Sequence, residues 1–338
     1  MSNASQKWYH SSGPEGDVVL STRIRLARNL STLPFPGSMS RDQRKTMVDT
    51  VREAMKQQDL VCLEMENVSE NDAMSLVERH LVSPDFIRDT ALRSLFLSRD
   101  ESVSVMVGEE DHLRIQVMQS GLQLEAAYAA ADALDTALDE QLSFAFDERL
   151  GYLTQCPTNL GTGMRASLML HLPALQETGA VRKLANTVSK LGLTMRGIYG
   201  EGTRPEGAVY QLSNQITLGI SEKEAIRNLE GIVAQIIKEE RSARTALCEN
   251  PRYADTVCRS LGILRYAKLL TYEELLSLSA YLRVGIAGGI LPDTLSFDQL
   301  NALMNDMQPA TLMMLARREM TPEERDLARA EQVKQRLE

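Results

Sequence analysis

The stretch Cys156-Pro157-Thr158-Asn159-Leu160-Gly161-Thr162-Gly163-Met164-Arg165 decides the fold of this chain. It connects a predicted strand over residues 151–156 to a turn that holds one proline and two glycines. We predict that a helix follows from about Met164 and that Pro173 kinks or ends it. A glycine-bearing turn ahead of a helix start presents backbone N–H groups that bind anions. A plain connecting turn has the same composition, so this segment is weak support for a phosphate site on its own.

Three other segments combine arginines with carboxylates in apolar, strand-like surroundings: residues 21–25 (STRIR), 109–114 (EEDHLR) and 196–201 (RGIYGE). A buried guanidinium keeps its proton and therefore requires an anion. Its planar fork of donors matches phosphate oxygens. The four segments together predict a phosphate site with acidic groups next to it.

Residues 18–26 alternate with the period of a β-strand. Arg23 and Arg25 lie on one face, roughly 6–7 Å apart, a spacing that suits a polyphosphate. The opposite face is predicted to hold Val18, Leu20, Thr22, Ile24 and Leu26. The alternative interpretation is a solvated edge strand with two surface arginines.

A β-hairpin is predicted around the polar turn at residues 109–111, with strands at 102–108 and 112–118. The pattern turns Leu113, Ile115 and Val117 toward the core and Arg114 away from it. Carboxylates at the tip of the hairpin and Arg114 can then reach one cleft.

The rest of the chain divides into a mixed region and a helical region. Helices are predicted at residues 42–58, 71–81 and 123–142, and strands at 193–199 and 208–218. Residues 200–207 form a glycine- and proline-rich loop that can close over a ligand, or an exposed hairpin loop.

From residue 221 onward, capping-box patterns precede helical stretches and predict a bundle of about five helices. These patterns begin at Ser221, Thr271, Ser296 and Thr321. We therefore predict an α+β fold with a domain at 1–220 and an all-α domain at 221–338.

Composition excludes several classes of protein. The net charge of −9 argues against direct nucleic-acid binding, which needs a basic surface. The four cysteines are too far apart to suggest a zinc site or a disulfide framework, so reduced thiols are expected. No apolar stretch is long enough for a membrane span, and the polar start of the chain lacks the apolar run of a signal peptide. These features predict a cytoplasmic protein without a membrane partner.

In their order and separations, the four segments resemble the catalytic domain of the phosphagen (guanidino) kinases, which include creatine and arginine kinases. The run CPTNLGT is highly specific to that family, and the likeness covers roughly residues 15–220. It implies a largely antiparallel sheet flanked by helices. A C-terminal helical domain, in place of the helical domain that precedes the catalytic region in small-molecule kinases, is typical of bacterial protein arginine kinases.

The resemblance implies two catalytic carboxylates, Glu110 and Glu201, which orient the acceptor guanidinium and take its proton, with Glu110 as the base. Glu109 and Asp111 remain open as alternatives to Glu110. Cys156 matches the reactive cysteine of the family, whose thiolate a helix start and nearby arginines would favour. Its alternative is an inert buried cysteine.

On the donor side, the family resemblance assigns the phosphates of ATP to a set of cations: Arg23, Arg25, Arg114, Arg165 and Arg196. His80 is similar to the histidine that packs beside the adenine, with a surface histidine as the alternative. Mg²⁺ is expected to bridge phosphate oxygens and keep most of its water ligands, without a dedicated protein cage.

Residues 325–330 (RDLARA) are similar to the R-D-x-x-R-A motif with which protein arginine kinases bind phosphoarginine as an allosteric signal. This implies an allosteric site at Arg325, Asp326 and Arg329. A solvated helix face is the alternative interpretation.

Three functions follow from the sequence: an ATP-dependent kinase of arginine side chains in proteins, a kinase of free arginine or a related guanidine, and a non-catalytic adaptor. The full set of site residues argues against the adaptor. The resemblance further implies a role in bacterial protein quality control and stress response. The implied partners are protein substrates with exposed arginines, a Clp-type protease, a heat-shock repressor and a small zinc-binding activator, and a homodimer or higher oligomer is expected.

Overall fold

The structure, a computed structural model, describes residues 6–197, 205–291 and 295–338. The strands in these residues are β1 Val19–Arg28, β2 Val61–Glu64, β3 Ser94–Leu97, β4 Val103–Val107, β5 Leu113–Ser120, β6 Phe146–Asp147, β7 Gly151–Tyr152, β8 Met164–His171, β9 Leu193–Gly197 and β10 Val209–Asn214. The helices are α1 Arg41–Met55, α2 Glu70–Glu78, α3 Leu124–Leu142, α4 Pro173–Glu177, α5 Val181–Lys190, α6 Glu222–Cys248, α7 Pro251–Tyr266, α8 Tyr272–Ala287, α9 Phe297–Asp306, α10 Pro309–Ala316 and α11 Pro322–Leu337. The α+β prediction is confirmed.

Eight strands form one sheet in the order β2-β3-β4-β5-β1-β8-β10-β9, and every neighbouring pair is antiparallel. Helix α3 packs on β1 and β5, and α6 packs on β8 and β10. The face under these helices, here called the core face, is lined by fully buried apolar side chains: Ile24, Leu26, Ile115, Val117, Ala166, Leu168 and Leu212. The other face is free of these helices.

The predicted helix from Met164 is wrong, because residues 164–171 form strand β8 in the middle of the sheet. Met, Ala and Leu favour helices in isolation. However, Ala166 and Leu168 alternate with Arg165 and Ser167, which is the period of a strand. Burial between β1 and β10 therefore overrides the local propensity.

The predicted strand over residues 151–156 is reduced to the two residues of β7. After it the chain makes a short 3₁₀ turn at Pro157–Asn159, and the glycine turn leads directly into β8. The helix start that was expected to bind an anion there does not exist. Pro173 begins α4 instead of ending a helix.

The predicted alternation of β1 holds from Thr22 to Leu26 but is wrong at Leu20. The pairing of β1 with β8 shifts register between Val19 and Ser21. A β-bulge of this kind turns one extra residue to the other side of the sheet. Leu20 therefore lines a cavity on the face opposite the core, while Val18 and Val19 are both buried.

The hairpin prediction is confirmed by β4 and β5, whose core positions Leu113, Ile115 and Val117 are completely buried. The C-terminal region from Ser221 contains six helices among the described residues, one more than expected. Complete capping boxes begin α6, α9 and α11, whereas at α8 Thr271 accepts a hydrogen bond from Glu274 N without the reciprocal bond. None of the described helices is long and apolar enough to cross a lipid bilayer.

Helix α6 belongs to the same hydrophobic core as the sheet. Its buried residues Leu229, Val233 and Ile236 pack in that core, whereas a second core begins at Val257 in α7. The division of the chain at residues 220 and 221 remains a prediction, with α6 as the helix that joins the two cores.

Glu240 of α6 is fully buried and accepts hydrogen bonds from Ala174 N at 3.0 Å and Leu175 N at 2.9 Å. Burial raises the pKa of this carboxyl from 4.5 to about 7, although the two backbone hydrogen bonds lower it. Because the folded pKa lies above the unfolded one, the stabilisation linked to Glu240 is complete below pH 4.5 and is lost as the pH rises to about 7.

The pKa of Glu240 rises from 4.5 to about 7 on folding, and one pKa unit corresponds to about 1.4 kcal/mol. We therefore expect the free energy of unfolding of Glu240→Gln to vary with pH by about 3 kcal/mol less than that of the wild type. Urea denaturation at a series of pH values from 4.5 to 8 measures this difference. Glu239→Gln changes the exposed neighbour in α6 and is the matched control. A wild-type pH dependence in the Glu240 variant would contradict the assignment.

Candidate active site

Five arginines share the face of the sheet opposite the core, here called the arginine face. Arg25 on β1 lies directly opposite Arg165 on β8, and the positions that flank Arg25 on β1 point to the core. Directly paired residues in antiparallel strands project to the same side. Arg196 on β9 is paired with Gln211 on β10 and so lies on the same face. The remaining members are Arg23 on β1 and Arg114, which is opposite Ala27.

These arginines are close enough to raise each other's electrostatic energy. Burial, together with the charges of Arg165 and Arg114, lowers the pKa of Arg23 to about 10. Arg25 has a pKa well below the ordinary value, because of burial and then the charge of Arg23. The pKa of Arg165 is lowered by burial and by Arg196. The cluster therefore favours the binding of an anion that would relieve the repulsion.

The hydrogen-bond partners of Arg23 and Arg165 are neutral side chains. Arg23 Nη2 donates to Gln211 Oε1 at 3.2 Å, and Arg165 Nη2 donates to Ser213 Oγ at 3.1 Å. The Nε atoms of Arg25 and Arg165 are buried and have no hydrogen-bond partner. Buried donors are nearly always paired in proteins, so these two fit the oxygens of a phosphate chain.

The hairpin turn brings two carboxylates to the edge of the arginine face. Arg114 Nη2 lies 2.7 Å from Glu109 Oε2 and 3.4 Å from Glu110 Oε2. The side chain of Glu109 is 7% exposed and also accepts a hydrogen bond from Ser83 Oγ, whereas that of Glu110 is 40% exposed. Glu110 is therefore the more accessible of the two carboxylates.

Glu110 and Cys156 are neighbours. Burial raises the pKa of Glu110, as do the charges of Asp111 and Glu109, while Arg114 and a hydrogen bond with Cys156 lower it. The Sγ atom of Cys156 also lies 3.0 Å from Thr158 Oγ1. The helix start that was expected to favour the thiolate is absent, since the residues after Cys156 form the 3₁₀ turn before β8.

Asp111, an alternative base at the sequence level, is almost completely buried and holds the site together. Its Oδ1 accepts hydrogen bonds from Asn29 Nδ2 at 2.7 Å and from Gln155 N at 2.8 Å. These two hydrogen bonds hold the residue after β1 and the segment before Cys156 against the hairpin turn. This geometry makes Asp111 a positioning residue.

His80 follows α2 and lines two adjoining cavities above the arginine face. Burial, together with the charge of Arg23, lowers the pKa of its imidazole to about 4, so the ring is neutral at pH 7. Its backbone φ of 61° lies in the left-handed region, and its carbonyl accepts a hydrogen bond from Gln116 Nε2 at 2.8 Å. His80 is thus part of a cavity wall.

Glu201, the second predicted carboxylate, lies outside the described residues, as does most of the predicted loop over residues 200–207. Arg196 at the end of β9 is exposed. The structure therefore brings together the hairpin carboxylates, Cys156, His80 and the arginines, and the role of Glu201 stays a prediction.

The C-terminal motif lies on α11, and its three residues differ in exposure. Arg329 is 1% exposed and donates to Met307 O at 2.9 Å and Leu270 O at 2.7 Å. It also forms an ion pair with Asp326 Oδ1 at 2.6 Å. Arg325 and Asp326 are half-buried. Arg329 thus holds the helical domain together and orients Asp326.

Some site residues were missed at the sequence level. Gln211 and Ser213 accept hydrogen bonds from the arginines, and Trp8 and Met169 line the cavities beside His80. The alternation of polar and apolar residues in β8 and β10 was a usable signal for Gln211 and Ser213. No comparable signal existed for Trp8, since its place depends on the path of the N-terminal segment.

Comparisons with known proteins agree with this fold. The profile described as "ATP:guanido phosphotransferase, C-terminal catalytic domain" matches residues 42–243, and that described as "Protein-arginine kinase McsB C-terminal domain" matches residues 251–338. Among solved structures, a lombricine kinase superposes with a TM-score of 0.60 at 26% identity, covering 71% of this chain and 70% of that one. The duplicated taurocyamine kinase of Schistosoma mansoni with bound transition-state analogue components gives a TM-score of 0.61 at 30% identity. That match covers 71% of this chain and 35% of the duplicated protein.

The fold and the arginine face thus define a guanidino phosphotransferase. The protein-arginine kinase of Halothermothrix orenii is 45% identical over 98% of this chain and 96% of its own length. The protein-arginine kinase of Symbiobacterium thermophilum is 44% identical over 100% of this chain and 98% of its own length. The chain belongs to the protein-arginine kinase family.

Proposed function

We propose that this protein transfers the γ-phosphoryl group of ATP to arginine side chains of other proteins. The observation that carries the proposal is the convergence of five arginines on one face of the sheet, beside the accessible carboxylate of Glu110. Full-length similarity to protein-arginine kinases supports a protein acceptor rather than a free guanidine.

The acceptor nitrogen belongs to a guanidinium cation, which has no basic lone pair and must lose a proton as it attacks. Glu110 is placed to hold this group through hydrogen bonds and to accept the proton. The N–P bond forms as the bond between the γ-phosphorus and the bridging oxygen breaks, and ADP leaves with the electron pair. We propose Glu201 as the second carboxylate on the guanidinium.

Phosphoryl transfer passes through a loose transition state, so alignment and charge stabilisation dominate catalysis. The arginine face supplies the positive charge, and the unpaired Nε atoms of Arg25 and Arg165 would bind phosphate oxygens. We propose Mg²⁺ as the accompanying ion, which would neutralise charge on the phosphates of ATP when bound. Cys156 is proposed to orient the substrate beside Glu110 without forming a covalent intermediate.

The cellular setting is proposed from the family resemblance alone. Phosphoarginine would mark proteins for a Clp-type protease in the bacterial cytoplasm, with a heat-shock repressor as a client and a zinc-binding protein as an activator. Arg325 and Asp326 are proposed to bind phosphoarginine as an allosteric signal, with Arg329 orienting Asp326. A homodimer or higher oligomer is proposed for the assembled enzyme.

Mass spectrometry tests the proposed reaction. We expect the full chain, incubated with ATP and Mg²⁺, to phosphorylate an arginine-containing peptide and not the same peptide with lysine in place of arginine. The samples must be kept from acid, because the N–P bond is acid-labile. Free arginine is included as a competing acceptor. Modification of free arginine alone would contradict the proposal and favour a small-guanidine kinase.

A further inference from the structure

A cavity of about 130 Å³ adjoins the acceptor side of the candidate active site, and we call it the acceptor-side cavity. Its wall includes Glu109, which precedes Glu110, and Gln155, which precedes Cys156. The rest of the wall comes from the segment between β1 and α1, from α1 itself and from residues next to β3 and β4. The cavity therefore lies beside the two segments that carry the side chains proposed to contact the acceptor guanidinium.

Two arginines in the wall have donors that are left for a ligand. Arg44 of α1 donates from Nη2 to Pro36 O at 3.4 Å. Arg93, just before β3, donates from Nη1 to Asp85 O at 2.7 Å and to Phe86 O at 2.8 Å. All three acceptors are backbone carbonyls, and neither arginine forms an ion pair with a described residue. Because a guanidinium has five N–H donors, both side chains can still bind a carboxylate.

The wall of the acceptor-side cavity carries a net positive charge. Among the described residues, its ionisable side chains are those of Arg44, Arg93 and Glu109. The carboxylate of Glu109 is already bound by Arg114 Nη2 at 2.7 Å. Burial lowers the pKa of Arg93, as does the charge of Arg44. Nearby carboxylates raise it in part, those of Asp89, Glu109 and Asp85. The two cations are thus not fully compensated, which favours an anionic ligand.

The size of the cavity indicates which anion it takes. Pockets for drug-sized ligands measure roughly 300–1,000 Å³, so about 130 Å³ suits one side chain and not a nucleotide. The anions that a polypeptide supplies are the carboxylates of aspartate and glutamate. The segments that hold Glu110 and Cys156 also form the wall, so a chain whose arginine is held there passes the cavity within one or two residues.

We propose that the acceptor-side cavity binds an acidic side chain one or two positions from the target arginine, so that Arg44 and Arg93 make the enzyme prefer arginines with an acidic neighbour. This inference rests on the proposed function, in which the acceptor is a protein. The carboxylate would form charge-assisted hydrogen bonds with the two guanidinium groups. Arg44 and Arg93 are then specificity-determining residues outside the arginine face.

The wall is held in place without a substrate. Gln155 Oε1 accepts a hydrogen bond from Gly37 N at 2.8 Å, which joins the segment before Cys156 to the turn before α1. The guanidinium of Arg93 lies 5.5 Å from the centre of the Phe86 ring and is fixed by its two carbonyl acceptors. A preformed site loses less conformational entropy on binding, so the ion pair contributes more to affinity.

Free arginine offers the same chemistry, because its α-carboxylate is also an anion close to a guanidinium. Full-length similarity to protein-arginine kinases favours a side chain of the protein acceptor as the source of the carboxylate. A comparison of free arginine with N-acetyl-arginine amide, which has no carboxylate, distinguishes the two sources. We expect an arginine peptide with an internal aspartate to be a better acceptor than either small compound.

Peptides with a single arginine test the preference directly. An aspartate is placed at one of the two positions on either side of the arginine, and each peptide is matched with one that has asparagine there. We expect the full wild-type chain to phosphorylate at least one aspartate peptide with a kcat/KM about fivefold to tenfold higher than its match, mainly through KM, as for a half-buried ion pair. Ratios near 1 at all four positions would overturn the inference.

Charge reversal in the wall tests which residues are responsible. Arg44→Glu should lose the preference for aspartate and favour a peptide with lysine at the same position. Arg93→Gln should lower the ratio of aspartate to asparagine peptides at least twofold. Arg41→Gln, at an exposed arginine one turn earlier in α1, is the matched control and should keep the wild-type ratio. An unchanged preference for aspartate in Arg44→Glu would contradict the assignment.

The outcomes separate the inference from the proposed function. If the wild-type chain phosphorylates arginine equally in all peptides, the inference is wrong and the proposed function stands. If it modifies free arginine alone, or no arginine at all, both are overturned. Should Arg93→Gln fail to fold because it loses two bonds to carbonyls, the wild-type ratios and Arg44→Glu still decide the question.

Discussion

Replacing Arg165 with alanine is expected to lower kcat/KM for arginine phosphorylation by roughly 10³-fold or more, the scale on which transition-state cations act in phosphoryl transfer. Arg165 lies opposite Arg25 in the centre of the arginine face, and its Nε, like that of Arg25, is a buried donor without a hydrogen-bond partner. Its loss removes charge where negative charge is spread over the transferring group. Steady-state kinetics with ATP and an arginine peptide measure the effect.

The same substitution is not expected to destabilise the unliganded protein. Arg165 is partly buried among like charges, and burial together with Arg196 and Arg114 lowers its pKa. Removal of this charge should therefore leave the melting temperature unchanged or raise it, while the stabilisation conferred by ATP is lost. Arg182→Ala, at an exposed arginine of α5, is the matched control. An active Arg165 variant, or one that unfolds, would contradict the assigned role.

Replacing Glu110 with glutamine is expected to lower kcat by about 10²- to 10⁴-fold, the usual contribution of a general base. Glutamine has nearly the same shape, so the hairpin turn should persist, but its amide cannot accept the proton. ATP should bind the variant with nearly unchanged affinity, because Glu110 lies on the acceptor side of the site. Rapid-quench kinetics and calorimetry separate these two effects.

The pH profile gives a second readout for Glu110. Burial raises the pKa of this carboxyl, so wild-type activity should fall on the acid side at a higher pH than an ordinary glutamate would produce. The residual activity of Glu110→Gln should lack that acid limb. Glu66→Gln, at an exposed glutamate after β2, is expected to behave as wild type in both measurements. An unaltered acid limb in the Glu110 variant would assign the base to another group.

The arginine face illustrates why a site of this kind stands out in a sequence. An apolar side chain at each of these positions would add to the packing of the sheet, whereas five cations on one face repel each other. Glu109 and Glu110 offset part of that repulsion at Arg114, and a bound anion would offset the rest. Arginines that recur in strand-like segments therefore indicate an anion site from residue type and spacing alone.

The local patterns predicted much of the architecture correctly. The hairpin of β4 and β5, helices α1 to α3 and the helical C-terminal region follow from periodicity and capping residues, which act within a few residues of each other. The prediction failed at residues 164–171, where helix-favouring residues form a central strand. It also failed at Leu20, where a bulge in the pairing of two strands changes the direction of one side chain.

By itself, the sequence determined the residue types of the site and most of the elements that hold them, because charge and short-range periodicity are properties of the chain. Only the tertiary structure decided which groups meet. Cross-strand register places Arg25 opposite Arg165, and burial distinguishes Asp111 from Glu110. The contact of α9 with the N-terminal segment joins residues almost 300 positions apart. Such contacts depend on packing between distant segments, which no local pattern records.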